Sequence, residues 1–134
     1  MQFTVVPKTE AHLDVLLVED DELVLETLCE ALHQAGLDTE RHQTAESALL
    51  AVSRERPKIV VTDINLGPGM DGLALGRAVR SRFPDLPFVY ISGRYSELRG
   101  LSAQERFLIK PFPATLLLRA IHDLAASPAR DMAV

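Results

Sequence analysis

The chain has 134 residues, with 14 Lys and Arg against 19 Asp and Glu, a formal charge of −5 and 47% hydrophobic residues. That is one domain's worth of chain, able to bury an ordinary core without disulfides or structural metal. The acidic balance, the 5% aromatic content and the lack of a Lys/Arg run exclude a surface built mainly for nucleic acid or anionic membrane.

In chain order, residues 1–12 read as a tail, and Val15–Val18 is the first of several short aliphatic runs of the kind that forms strands buried on both faces. Val24, Leu28, Ala31, Leu32 and Ala35 then fall on one helical stripe, and Gly36 sits where a C-terminal cap belongs. Asp38–His42 is a further candidate strand. Thr44 is placed to cap a second helix, Ala45–Arg54, which stops before Pro57. After the strand Ile59–Thr62, a third helix spans Gly72–Phe83 with Leu75, Val79 and Phe83 on one stripe. The strand Phe88–Ile91 is followed by a short fourth helix within Tyr95–Gln104, interrupted by Gly100. The strand Phe107–Ile109 and a helix over Ala114–Ala126, apolar at Leu117, Ile121 and Leu124, complete the pattern, and residues 127–134 read as a second tail.

Five strands alternating with five helices predict an α/β domain over residues 13–126, a doubly wound parallel sheet covered on both faces by right-handed helical crossovers. Only eight residues follow Ala126, so no DNA-binding or enzymatic effector domain is expected on this chain. The single cysteine, Cys29, makes no internal disulfide or cysteine-rich zinc site. The longest apolar run, Ala48–Val52, is far too short to span a membrane, and the N-terminus lacks the apolar centre of a signal peptide. A cytoplasmic location without membrane contact is expected.

In such sheets the site lies outside the carboxyl ends of the strands, where strand order reverses. Reading off those ends gives Glu19, Asp20, Asp21 and Glu22 after the first strand, Asp63 after the third, Ser92 and Gly93 after the fourth, and Lys110-Pro111 after the fifth. Each piece alone has an ordinary structural reading. Acidic residues opening a helix complement its dipole, and Ser-Gly or Lys-Pro marks a turn. Together, separate carboxylates converging on one rim repel one another unless something cationic sits among them. Lys110 and a divalent ion fit that need, and hard oxygen ligands without His or Cys favour Mg²⁺, or Mn²⁺, over zinc.

The runs Val15-Leu-Leu-Val-Glu-Asp-Asp-Glu, Ile59-Val-Val-Thr-Asp-Ile-Asn-Leu, Met70-Asp-Gly, Tyr90-Ile-Ser-Gly and Leu108-Ile-Lys-Pro-Phe, in this order and spacing, resemble the receiver domain of two-component response regulators, here of a single-domain type. The resemblance covers about Leu13 to Ala126. It implies the flavodoxin-like strand order 2-1-3-4-5. It also implies that Asp63 is the phospho-acceptor and that Glu19 and Asp20 are the acidic pair holding Mg²⁺, Asp20 directly and Glu19 through water. Asn65 would give the metal a main-chain carbonyl, with its side chain facing the phosphoryl group. Lys110 would pair with one phosphoryl oxygen and Ser92 with another. Ser92 and Phe107 would form the conformational switch, with the phenylalanine lacking the hydroxyl of the tyrosine common there. Gly93 would leave a path to Asp63, Arg94 would tune dephosphorylation, and Lys110-Pro111 would be a cis peptide.

Two features depart from the family pattern. The loop Asn65-Leu-Gly-Pro-Gly-Met-Asp-Gly is longer by one residue, with Gly67 as the apparent insertion, which implies a more mobile loop. The stretch between Ser92 and Lys110 is shorter than usual, which implies a short or irregular fourth helix and puts in question the family's signalling face of helix four, strand five and helix five, with its usual dimer mode. Leu116 and Leu118 lie off the core stripe of the last helix and are candidates for a partner patch. The four histidines lack metal-site spacing.

The expected function is that of a phospho-accepting switch. It takes a phosphoryl group from a sensor histidine kinase or phosphotransfer protein in a Mg²⁺-dependent reaction and signals to a downstream protein by contact, with a homodimer possible. Chemistry beyond self-phosphorylation and self-dephosphorylation is not expected. A haloacid-dehalogenase-type phosphohydrolase also uses an aspartyl nucleophile and Mg²⁺, but requires Asp-x-Asp after the first strand, which Glu19-Asp-Asp-Glu does not supply. A degenerate receiver acting only as a docking module is the other alternative, and it conflicts with a full set of site positions.

Overall fold

The computed structural model describes residues 13–93 and 101–125. The described elements run β1 (Val15–Val18), α1 (Glu22–Gln34), β2 (Thr39–His42), α2 (Ala45–Arg54), β3 (Ile59–Asp63), α3 (Gly72–Arg82), β4 (Phe88–Ser92), β5 (Glu105–Ile109) and α4 (Ala114–Ala125). The strands form one parallel sheet in the order β2-β1-β3-β4-β5. Period-two alternation divides its core in two. Val15, Leu17, Val61, Val89 and Ile91 pack with Leu28, Leu32, Leu117 and Ile121 under α1 and α4. Leu16, Val18, Val60, Phe88 and Tyr90 pack with Ala48, Val52, Leu75 and Val79 under α2 and α3.

The helix ends follow their local chemistry. Asp21 caps α1 by accepting from the Leu23 and Val24 N–H groups, and Thr44 and Asp71 cap α2 and α3 in the same way. Gly36, at φ 84°, turns the chain out of α1. There the Gly36 N–H donates to the His33 carbonyl and the Leu37 N–H to that of Leu32, the paired closure that a left-handed residue after a helix permits.

Several expectations change. The buried face of α1 is Leu25, Leu28 and Leu32, with Ala35 exposed. Adjacent apolar residues at 24 and 25 allow two stripes, and contact with the sheet selects between them. β5 begins at Glu105, two residues before the apolar run, because Glu105 and Arg106 pair with Phe88 and Val89 at the sheet's edge, where one flank tolerates polar side chains. Among the described residues there are four helices rather than five. The expected fourth helix, residues 95–104, falls largely outside the described residues. Its described part, residues 101–104, is non-helical and folds as a turn whose Ser102 N–H and carbonyl bind the Glu105 carboxylate and N–H. Both tail readings also lie outside the described residues. Leu116 is exposed, but Leu118 packs against the core, so the two do not make a shared surface patch.

At the α3 edge a polar lock joins three elements. The buried Tyr90 hydroxyl donates to Glu105 Oε2 at 2.7 Å. Arg80 lies beside the same carboxylate, 3.7 Å away, and donates to the Leu86 carbonyl and Ser102 Oγ. Burial opposes the Glu105 charge, yet the Ser102 N–H, the Tyr90 hydroxyl and Arg80 hold its carboxyl below the usual value. Burial and the Glu105 contact raise the Tyr90 phenol far above its ordinary value. Gly76 makes room for this arrangement, since a Cβ there would lie 2.0 Å from the Tyr90 hydroxyl oxygen.

Helix propensity alone predicts that Gly76→Ala stabilises α3 by up to about 1 kcal/mol. The contact with Tyr90 predicts the opposite sign, a loss of about 1–3 kcal/mol from overpacking. Gly93→Ala, whose Cβ meets nothing within 4 Å, should stay within about 0.5 kcal/mol of wild type. Urea denaturation of the two variants distinguishes the cases by sign.

Candidate functional site

The switch point of the sheet lies between β1 and β3, the strands from which the chain winds in opposite directions. Glu19 leaves β1 with its N–H on the His42 carbonyl, and its side chain is 2% exposed. Glu19 Oε2 accepts the Asp21 N–H at 3.1 Å. Asp20 is exposed, and its carbonyl accepts from Gln43 Nε2. Asp63 ends β3 in register with Ile91 and is 4% exposed. Its Oδ1 accepts the Asn65 N–H at 3.3 Å, and its Oδ2 accepts from Lys110 Nζ at 3.0 Å.

Lys110 follows β5. Its N–H donates to the Ser92 carbonyl at 2.8 Å, and its peptide bond to Pro111 is cis. The ammonium also lies 3.7 Å from Glu19 Oε1. Ser92 ends β4 fully buried, and Gly93 beyond it is exposed. The structure therefore brings Glu19, Asp20, Asp63, Ser92 and Lys110 to one rim, with the backbone of Asn65 against Asp63.

The charges do not balance within this group. Burial, opposed by the Asp21 N–H, and the neighbouring charges of Asp63 and Asp20 push the Glu19 carboxyl up to about 7. Burial works against the Lys110 charge, but the hydrogen bond and charge of Asp63, supported by Glu19 and Asp20, hold the ammonium above its usual value.

Glu19, Asp20 and Asp63 each offer an oxygen within 4.8 Å of the others. Glu19 Oε1 is buried with no hydrogen-bond partner, an orphaned acceptor of the kind that a bound cation satisfies. A hard, oxygen-rich donor set with surplus negative charge fits Mg²⁺ or Mn²⁺.

The remaining expected residues are placed as follows. Phe107 is half-buried on the α3 side of the sheet, opposite Tyr90 in register. A Cβ on Gly93 would meet nothing within 4 Å among the described residues, so packing against them does not demand glycine there. Arg94 lies outside the described residues.

Two glycines carry site geometry that motif matching alone does not explain. A Cβ on Gly72 would lie 2.2 Å from the Asp63 carbonyl oxygen, so only glycine lets α3 start against the backbone of Asp63. Gly67, at φ 82°, stands beside Asp20, with its Cβ position 3.7 Å from Asp20 Oδ2. The Gly-Pro-Gly run is the available signal for this loop. The contact with Asp20 joins segments more than forty residues apart and is not visible locally.

A doubly wound parallel sheet with three carboxylates and a lysine converging at its switch point defines the class of protein. Residues 15–122 match the family described as the response regulator receiver domain, and the chain belongs to that family. It is 37% identical over 123 residues to the response regulator protein FleR of Pseudomonas aeruginosa, an alignment covering 87% of this chain and 26% of FleR. It is 35% identical over 114 residues to the response regulator MprA of Mycolicibacterium vanbaalenii, covering 82% of this chain and 49% of MprA. The chain thus spans at most about half of these relatives' length. Among solved structures, a response regulator receiver protein from Sinorhizobium medicae superposes with a TM-score of 0.81 at 27% identity, over 88% of this chain and 98% of that one.

Because the folded pKa of Glu19 lies above its unfolded value, ionised Glu19 destabilises the metal-free fold. That cost is absent at low pH and develops as pH rises from about 4.5 through about 7. Glu19→Gln keeps an acceptor for the Asp21 N–H and removes the charge. In EDTA it should raise the melting temperature at pH 8 and change it little at pH 5. Equal effects at both values, followed by circular dichroism, would contradict this account of the site.

Proposed function

We propose that this receiver domain is a phospho-accepting switch in which Asp63 receives a phosphoryl group from the phosphohistidine of a sensor kinase or phosphotransfer protein. The observation that carries this reading is the pairing of a nearly buried Asp63 carboxylate with Lys110 at 3.0 Å, beside two further carboxylates. An Asp63 oxygen attacks phosphorus, the new O–P bond forms as the P–N bond breaks, and the electron pair leaves with the imidazole nitrogen. Return to the ground state is attack by water on phosphorus, which releases inorganic phosphate and restores the carboxylate.

A carboxylate is a weak nucleophile, so the protein's contribution is positioning and charge rather than base catalysis. Asp63 is held from both sides, by the Asn65 N–H and by Lys110. Lys110 is a compact point charge able to transfer from the carboxylate to a phosphoryl oxygen as negative charge builds there. Asp63, Asp20 and Glu19, with the main-chain carbonyl of Asn65, would hold a Mg²⁺ whose chemistry is to neutralise the phosphoryl oxygens.

The hydroxyl of Ser92, at the end of β4, is the donor for another phosphoryl oxygen, and its movement is read by Phe107 on the neighbouring strand. The family resemblance supports this pairing, as does the placement of Ser92 and Tyr90 on one face of β4, with Phe107 opposite Tyr90. A protein donor is supported by an apolar groove lined by Val24, Leu28, Ile91, Pro111 and Phe112 beside Lys110. Leu23, at 76% exposure, is next to it in the chain. We assign the chain no turnover beyond its own phosphorylation and dephosphorylation. Among the described residues no helix is long and apolar enough to cross a membrane.

Incubation with Mg²⁺ and acetyl phosphate, followed by intact mass, should add one phosphoryl group to wild type and none to Asp63→Asn. Beryllium fluoride should perturb the amide NMR signals of Asp63, Ser92 and Lys110 in wild type alone. An unmodified wild type removes the acceptor assignment, and steady hydrolysis of unrelated phosphomonoesters favours a phosphohydrolase instead.

A further inference from the structure

The loop between β3 and α3 is rich in glycine. Gly67 and Gly69 both have positive φ, 82° and 95°, with Pro68 between them. Its base is fixed, because the Ile64 N–H donates to the Ile91 carbonyl and the Gly72 N–H to that of Ile64. Its near limb lies over Asp20 at Gly67. Its far limb is met from outside by the first turn of α2, where Glu46 Oε2 accepts the Met70 N–H at 2.8 Å. That carboxylate oxygen fills the space beside Gly69 so closely that a Cβ there would lie 2.7 Å from it.

The residues leading into α2 also reach the main chain of Asp20, since Gln43 Nε2 donates to the Asp20 backbone carbonyl at 3.2 Å. Asp20 is thus bracketed by two contacts from one short stretch, one to its own backbone and one to the loop that lies against its side chain. Glu46 is suited to hold the loop. It is anionic at a helix N-terminus, where the dipole favours that charge, and the Met70 N–H, together with its own N–H, keeps its carboxyl below the usual value.

We propose that Glu46 is a positioning residue that latches the β3–α3 loop across the acidic rim, so that Asp20, Asp63 and the Asn65 carbonyl are arranged before a divalent cation arrives. The inference rests on the metal-dependent reading above and extends it to a residue that makes no contact with the ion. A glycine-rich loop left free must be ordered by the ion itself, and the conformational entropy lost is subtracted from its affinity. With the latch closed, that ordering has already occurred. The extra residue at Gly67 therefore lengthens the loop without loosening it.

The test is a Mg²⁺ titration of the full chain followed by amide NMR, with hydrogen exchange of the Met70 N–H, on wild type, Glu46→Ala, Glu46→Gln, Gly69→Ala and the Glu46→Ala/Gly69→Ala pair. Groups that orient metal ligands typically change affinity about 10- to 100-fold. A latch one step further out should lie at or below that range, so Glu46→Ala is expected to weaken Mg²⁺ binding by about three- to tenfold and to speed exchange at Met70. Glu46→Gln keeps an acceptor oxygen and should recover most of the affinity. Gly69→Ala displaces the same carboxylate, so it should weaken binding less in the Glu46→Ala background than in wild type. Glu46 is exposed, so its single variants should keep the wild-type spectral dispersion. If wild type shows no saturable Mg²⁺ shifts, the metal reading falls and this inference with it. If wild type binds and Glu46→Ala binds equally with unchanged Met70 exchange, the latch alone is overturned.

Discussion

Lys110 reaches Asp63 from a strand that is not its neighbour. β4 lies between β3 and β5, so the 3.0 Å contact spans two strand spacings, about 10 Å. The ammonium crosses the end of β4, where the described stretch ends in a serine and a glycine. That one crossing ties β5 to the centre of the sheet and gives a nearly buried carboxylate its partner. It also sets the balance of this cluster, which among the described residues places the carboxylates of Glu19, Asp20 and Asp63 against the Lys110 ammonium. Burying carboxylates without enough positive charge is costly, and the cost appears at Glu19, whose carboxyl is pushed up and whose Oε1 lacks a hydrogen-bond partner. A site in this condition favours cations and favours oxygen ligands around them.

The same strands that carry the rim carry the polar lock at the α3 edge. Tyr90 and Ser92 share a face of β4, and Glu105 and Phe107 share a face of β5. Ser92 at the rim is thus two residues along one strand from a hydroxyl fixed to Glu105, whose carboxylate also faces Arg80. Phe107 lacks a hydroxyl of its own and packs among apolar side chains next to that lock. Space is allotted tightly in this half of the molecule. Gly76 yields to the Tyr90 hydroxyl, and Gly72 yields to the backbone of Asp63.

Much of this is legible in the residues alone. The runs around Val15, Ile59 and Phe88 announce buried strands because a strand covered on both faces has no polar positions to interrupt it. Thr44 and Gly36 mark helix ends because their chemistry acts within a few residues. Glu19, Asp20, Asp63, Ser92 and Lys110 can be assigned to one rim because parallel βα winding places every strand's carboxyl end on the same side. The start of β5 is not legible, since Glu105 and Arg106 are polar and their strand character comes from pairing with β4. The buried face of α1 escapes a reading from periodicity for a similar reason, two apolar stripes being equally available until the sheet selects one.

What the sequence by itself determined is the five strands, four of the five expected helices, their order, and which side chains stand at the strand ends, because these follow from local periodicity, capping and the handedness of crossovers. What only the tertiary structure decided is how those side chains share charge and space. Lys110 serves Asp63 more closely than Glu19, Glu19 is left with an unsatisfied oxygen, and Gly67 lies against Asp20 while Glu46 holds Met70. Those relations join residues far apart in the chain through distances of a few ångströms, and neither composition nor spacing encodes a distance between segments until the sheet has brought them together.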